Sequence, residues 1–235
     1  MLMQKYIDSH CHLPADNSFD TVFAHANSLG IVGCVVNSVT ERDWLDVIKI
    51  ANSNVVGCIG IHPWYADSAS QNWAANMSSL LSDNPKLMVG EVGLDKTHDN
   101  FAAQETIFIQ SLEFAIRYKR VLNLHCVHAW DTVLKVLKSY KKNLPKIVVH
   151  SFDGTQNAID FDENLYFSYG PNAVKVNYQK IQLSLCKVSK NKILIESDNA
   201  NLTPVLTSAQ AVLNARPDIS VTDIFNNTMG VFFNG

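Results

Sequence analysis

The sequence predicts an α/β chain folded as a single (β/α)8 TIM-type barrel spanning residues 1–235. Three observations lead there. Short β-branched runs alternate with longer amphipathic stretches along the whole chain, and strand followed by helix, repeated, implies parallel strands joined by crossovers. The repeat occurs eight times, the number that closes such a barrel. Residues able to do chemistry collect at the C-terminal ends of the strand-like runs, the end where barrels of this kind hold their active sites. A doubly wound open sheet is the alternative.

Taken in order, the strand candidates are Lys5–Asp8, Ile31–Asn37, Val55–Gly60 and Leu87–Gly90, then Val121–His125, Lys146–His150, Leu165–Tyr169 and Lys192–Glu196. The helical stretches between the first five are Phe19–Leu29, Glu41–Ala51, Gln71–Leu81 and Phe101–Tyr118. Ala129–Tyr140, Val174–Val188 and Pro204–Ala215 follow, with Ser151–Glu163 the weakest helix of the set. Thr40 suits a helix cap, and Pro204 suits a first helical turn, where its missing N–H is no loss. No linker, low-complexity tract or short repeat interrupts the pattern.

Composition narrows the classes. Apolar residues at 47% and charged residues at 17% suit a globular chain with a sizeable core. No apolar run reaches the roughly 20 residues that span a bilayer, and the start has no signal-peptide pattern. The expectation is a cytoplasmic monomer without an obligate protein partner. The five cysteines form no CxxC pair and read as buried free thiols of a reducing compartment. A net charge of −3 gives no global drive to coat nucleic acid, although a hydrolase gripping its substrate at one local site needs none.

The chemistry falls in six places. The first strand ends in Asp8-Ser-His10-Cys-His12, the third in Gly60-Ile-His62-Pro-Trp64 and the fourth in Gly90-Glu91-Val-Gly-Leu-Asp95. The fifth ends at His125, the sixth at His150, and the eighth runs into Glu196-Ser-Asp198. His10 and His12 share a face because strand side chains alternate. Any one of these alone reads as well as a hydrogen-bonded core histidine or a surface acid. Together, five of eight histidines stand at strand C-termini, and such a concentration of buried polar groups is costly unless something binds it. Imidazole with carboxylate and no thiolate suits Zn, Mn, Fe or Co, with Mg where carboxylate and water dominate.

This ordered set, with His150-Ser-Phe-Asp-Gly154 and the stretch from Asn227 to Phe232, resembles the TatD family of metal-dependent deoxyribonucleases, barrels of the amidohydrolase superfamily. The resemblance implies hydrolysis of DNA or a small phosphodiester, often from the 3′ end, with two divalent cations (Mg, Mn or Zn). It further implies that His10, His12 and Asp198 hold one ion, that His125 and His150 hold the second, and that Glu91 bridges both. Asp198 would act as general base. His62 would contact the substrate phosphate or assist the leaving group.

The sequence departs from the family in several places. Where many relatives carry His-x-Arg and an acid, this chain has His125-Cys-Val127-His128; His128 could take part of the lost phosphate contact or simply start a helix. Lys96 replaces a usual tyrosine after Asp95 and could supply charge, and the segment after Asp198 is shorter. Trp64 and Tyr65 could stack on a base or pack the loop. Lys135, Lys138, Lys141, Lys142 and Lys146 read as a solvated face before a DNA contact, and His25 and His98 as surface residues. Two other functions stay open: hydrolysis of an amide, ester or lactone, and an inactive relative kept for binding.

Overall fold

In the computed structural model, residues 4–16, 18–161, 164–174 and 179–233 are described. Eight strands form one sheet in sequence order, and every neighbouring pair is parallel. They are β1 (Tyr6–His12), β2 (Ile31–Asn37), β3 (Val55–Ile59), β4 (Met88–Asp95), β5 (Leu122–Val127), β6 (Ile147–Val149), β7 (Leu165–Tyr169) and β8 (Ile193–Ile195). Between them run α1 (Phe19–Ser28), α2 (Trp44–Ile50), α3 (Trp73–Asp83), α4 (Phe101–Tyr118), α5 (Trp130–Ser139), α6 (Gln156–Ile159) and α7 (Gln179–Lys187). Then come α8 (Pro204–Ala215) and α9 (Val221–Thr228). The seam is what rejects the open-sheet alternative: just past β8, Asp198 N donates to His10 O at 3.0 Å, and His12 N donates to Asn199 O at 3.2 Å. The barrel closes through backbone bonds to β1.

Period-two alternation sorts the side chains. Cys34 and Val36 of β2, Ile147 and Val149 of β6, and Ile193 and Ile195 of β8 belong to the main core beneath the helices. The residues between them, Val35, Val148 and Leu194, join Val56, Cys58 and Val121 in a second apolar cluster. That cluster fills the lower lumen and is sealed by Val231 and Phe232 from the chain's last turn. Higher on the same inward faces stand Asp8, Asn123, Ser168 and Glu196, all fully buried.

Several boundaries differ from the sequence expectation, and the differences bear on the site. β1 runs on through His12, and β4 through Asp95, so His10, His12 and Glu91 lie within strands rather than beyond them. In β4 the register shifts between Val89 and Val92, and Gly93, at φ 155°, has no Cβ to strike the His125 carbonyl. The irregularity itself falls at Gly90 and Glu91 and re-aims Glu91. β6 and β8 are only three residues each, which leaves His150 and Glu196 just past their ends. The weak helix of 151–163 is a single turn, Gln156–Ile159; Glu163 lies outside the described residues. So do 175–178, the start of the helix expected at Val174–Val188. Sequence periodicity missed α9, although Ser220 caps it by accepting from Asp223 N while Asp223 accepts from Ser220 N. Pro204 does open α8, and Thr40 heads a short 3-10 turn tied back by the Asp43 carboxylate.

Candidate metal centre

All six strand ends converge on one space at the mouth. His10 and His12 project from the inward face of β1, while Cys11 between them points outward to Val35 O. His10 Nδ1 lies 3.1 Å from Asn123 Oδ1 of β5, and His12 Nδ1 3.1 Å from the Asn37 carbonyl of β2. With each Nδ1 set against an oxygen, the two Nε2 atoms face each other at 3.3 Å. Asp198 Oδ1 closes this group, 3.8 Å from His10 Nε2 and 3.5 Å from His12 Nε2. Its other oxygen accepts from Ser151 Oγ at 2.9 Å.

Glu91 sits at the centre, 1% exposed. One oxygen is 2.7 Å from both His125 Nδ1 and His150 Nε2; the other is 3.3 Å from His10 Nε2 and 3.6 Å from His12 Nε2. The carboxylate is thus divided between two histidine pairs. His125 Nδ1 and His150 Nε2 stand 3.0 Å apart, and the His10 and His150 rings stack at 4.0 Å. His62 comes closer than a purely peripheral group. Its Nδ1 accepts from Trp64 N at 3.2 Å, which leaves Nε2 facing Glu91 Oε1 at 3.4 Å.

Three participants were not singled out by sequence. Asn123 orients His10. Asp95 accepts from Trp64 Nε1 at 2.6 Å on the oxygen that also lies 3.5 Å from His125 Nε2. Glu196 accepts from Ser151 N and lies 3.9 Å from His150 Nδ1. The clue to Asp95 and Glu196 was their place in the motifs. Asn123 offered none, because its partner lies 113 positions away.

The electrostatics follow from packing ionisable groups in a dry space. Burial pushes the Glu91 carboxyl up, but the imidazoles of His150 and His10 outweigh it and hold Glu91 well below the carboxylate range. Asp198 is lowered in the same way, against burial, by His12, His150 and His10. His10, despite burial, rises to about 10 because Glu91 and Asp198 surround it. Burial and the neighbouring His10 charge push His150 down to about 4. Burial drives Asp8 up to about 7, and burial together with the neighbouring Asp198 charge drives Glu196 up to about 8. Glu91 and Asp198 are held ionised, and the histidines cannot all carry protons.

These residues fit divalent metal. Ring nitrogens opposed at 3.0 and 3.3 Å repel unless a proton or cation lies between them. Among the described residues, four overlapping groups bring ligand atoms within 4.8 Å of one another: His10, His12 and Asp198; His10, Glu91 and His150; His62, Glu91 and His125; and His150, Glu196 and Asp198. His128, Ser151 and Asp198 hold left-handed backbone at φ 54°, 43° and 49°, strain that tends to gather at functional sites.

The family model for TatD-related DNases matches residues 7–217. The chain belongs to that family. A TatD 3′-5′ ssDNA/RNA exonuclease from Edwardsiella piscicida is 26% identical over 78% of this chain and 74% of its own length. The human 3′-5′ RNA nuclease TATDN2 is 22% identical over 94% of this chain, which spans 32% of that longer protein. Among solved structures, the TatD homologue YjjV of Escherichia coli K12 superposes with a TM-score of 0.86 at 22% identity, covering 98% of this chain and 99% of that one. A TatD-family hydrolase from Entamoeba histolytica gives 0.84 at 19% identity over the full length of both. At those identities the structures speak for the fold. TatD membership carries the reaction class, a metal-dependent hydrolase acting on phosphodiester bonds.

The TatD-specific departures now have places. Lys96 Nζ pairs with Asp131 at 2.8 Å, so its charge is already engaged. His128 is exposed and lines a cavity of about 380 Å³ with Ser151, Asn172 and Lys180. From the basic run, Lys146 turns away from the mouth and donates to Gly230 O. His25 is exposed on α1, but His98 is no lone surface residue: it stacks on Trp64 at 4.8 Å. No helix among the described residues is long and apolar enough to cross a membrane.

Proposed function

We propose that this chain hydrolyses phosphodiester bonds of single-stranded nucleic acid from the 3′ end, using two divalent cations. The observation that carries the reading is Glu91, whose two oxygens lie against separate histidine pairs, so it would be placed to share two ions. His10, His12 and Asp198 would hold one ion, and His125 and His150 the other. Bound divalent cations activate water and neutralise charge on phosphoryl oxygens. Support for the substrate and polarity comes from the exonuclease and RNA-nuclease relatives.

The chain's own residues supply the rest. Asp198, ionised and turned toward the cluster, accepts the proton of the attacking water. Its second oxygen is fixed by Ser151, so the accepting oxygen keeps one aim. His62 stands at the rim with Nε2 inward, placed to contact the phosphate or protonate the leaving oxygen. Asn123 and Asn37 hold the tautomers of His10 and His12.

The test is end-labelled single-stranded DNA and RNA incubated with Mg, Mn or Zn. Shortening from the 3′ end that disappears in His10→Ala and Glu91→Ala is the expected result. Turnover of a carboxylic ester with nucleic acid untouched would overturn the proposal.

A further inference from the structure

Among the described residues, the exposed large hydrophobic side chains are Leu29, Leu45, Trp64, Tyr65 and Leu183. The three leucines lie singly along the outer helical layer, where isolated apolar exposure is ordinary. The two aromatics are different: adjacent in sequence, they stand at the mouth beside His62. Trp64 is 50% exposed, yet it is not loosely held. Its backbone N–H donates to His62 Nδ1, and its indole Nε1 donates to Asp95 at 2.6 Å. Thr97 N and Oγ1 hold the other oxygen of that buried carboxylate, while Asn100 Nδ2 pins the loop through Pro63 O at 3.0 Å. His98 backs the indole at 4.8 Å, nearly parallel.

A large aromatic face held rigid and left in water is a poor device for packing and a good one for stacking, because little conformational entropy remains to be lost on binding. Its place decides what it would stack. The indole and the His62 ring meet edge-to-face at 5.0 Å, and His62 Nε2 is 3.4 Å from Glu91. A phosphate lying at Glu91 therefore brings the base attached to the neighbouring sugar alongside Trp64. We infer that Trp64 is the residue that selects unpaired nucleobases at this site, held in its stacking position by Asp95. This rests on the nucleic-acid reading above and adds the source of single-strand preference. A paired base keeps its faces covered by its neighbours, whereas a splayed base offers a face to any aromatic, whatever its sequence.

The chain offers a direct probe. Of its four tryptophans, Trp44, Trp73 and Trp130 are buried at 2%, 8% and 8% exposure, so solvent-side quenching of indole emission reports on Trp64. The metal-loaded protein is titrated with a hydrolysis-resistant phosphorothioate single strand, the same strand as a blunt duplex, and the same strand with abasic residues at its 3′ end. Affinities of labelled strands are measured in parallel for Trp64→Phe and Trp64→Ala. Quenching by the single strand and weaker quenching by the duplex are expected. Affinity should fall about tenfold or more in Trp64→Ala, the loss shrinking to under about threefold on the abasic strand, with Trp64→Phe retaining most of the binding. No quenching in the wild type, or equal losses on normal and abasic strands, overturns the inference. The two proposals fail separately: 3′ shortening that is unaffected by Trp64→Ala removes this one alone, whereas stacking without hydrolysis in any metal removes the other.

Discussion

The two ends of the barrel lumen are built on the inward face of one sheet, and they behave oppositely. At the base, Val35, Val56, Val148 and Leu194 fill the space beneath Phe232, and every surface is apolar. Nearer the mouth, the inward face carries His10 in β1, Glu91 in β4, His125 in β5 and His150 just past β6. Buried ring and carboxylate atoms there, including Asp8 Oδ2, His150 Nδ1 and Glu196 Oε2, find no hydrogen-bond partner. The base stabilises the closed sheet; the mouth, without a ligand, costs stability. One fold keeps both because strand alternation lets each level of the lumen be composed independently.

Substitution at the two ends should therefore separate activity from stability. The largest activity loss is expected for Glu91→Ala, on the order of 10²–10³-fold in kcat, with bound metal lost by elemental analysis; normal metal content would break the assignment. At the base, Phe232→Ala should lower unfolding free energy by about 3–5 kcal/mol while kcat of the folded enzyme stays unchanged; denaturant titration beside steady-state kinetics reads both. Asp95→Asn, which weakens the hold on His125 Nε2, should reduce metal affinity or activity about 10–100-fold; unchanged metal affinity and kcat would make Asp95 only a loop anchor.

A smaller effect is expected from pH. Burial raises Asp8 to about 7 and Glu196 to about 8, so folding favours their protonated forms. That stabilisation is complete below their ordinary carboxylate values, near 4 to 4.5, and is lost as pH climbs through 7 to 8. With a chelator present, Tm should fall between pH 5 and 8, and Asp8→Asn, neutral throughout, should flatten part of the fall. An identical slope in the variant would show that Asp8 is not the titrating group. Least of all should change with Lys146→Ala: its amine is held by Gly230 O at the base, so kcat/KM on a single strand is expected to stay within about twofold, the scale of a substitution remote from the site.

The strands and the residues that stand at the mouth were readable because both are written locally. Alternation marks a strand within five residues, and a histidine at a strand's C-terminal end marks a barrel mouth once eight strands are counted. What could not be read involves partners far apart in the chain. Glu91 sits inside β4 rather than beyond it, in the irregular stretch between Val89 and Val92, while Gly93 lets the strand pass close to His125. Lys96 finds Asp131, a partner 35 positions away. His98 reads as a surface loop residue until Trp64 is folded against it. Asp95 has its role through an oxygen shared by Trp64 and His125, residues that no spacing rule connects.

By itself, then, the sequence determined the order of strands and helices, the closed parallel sheet and which side chains stand at its mouth, since periodicity and chain order are properties of short segments. Tertiary structure decided the division of Glu91 between two histidine pairs, the tautomers fixed by Asn123 and Asn37, and the tethering of Trp64. Each of these depends on distances between atoms set by packing across the barrel, and such distances exist only once the sheet has closed.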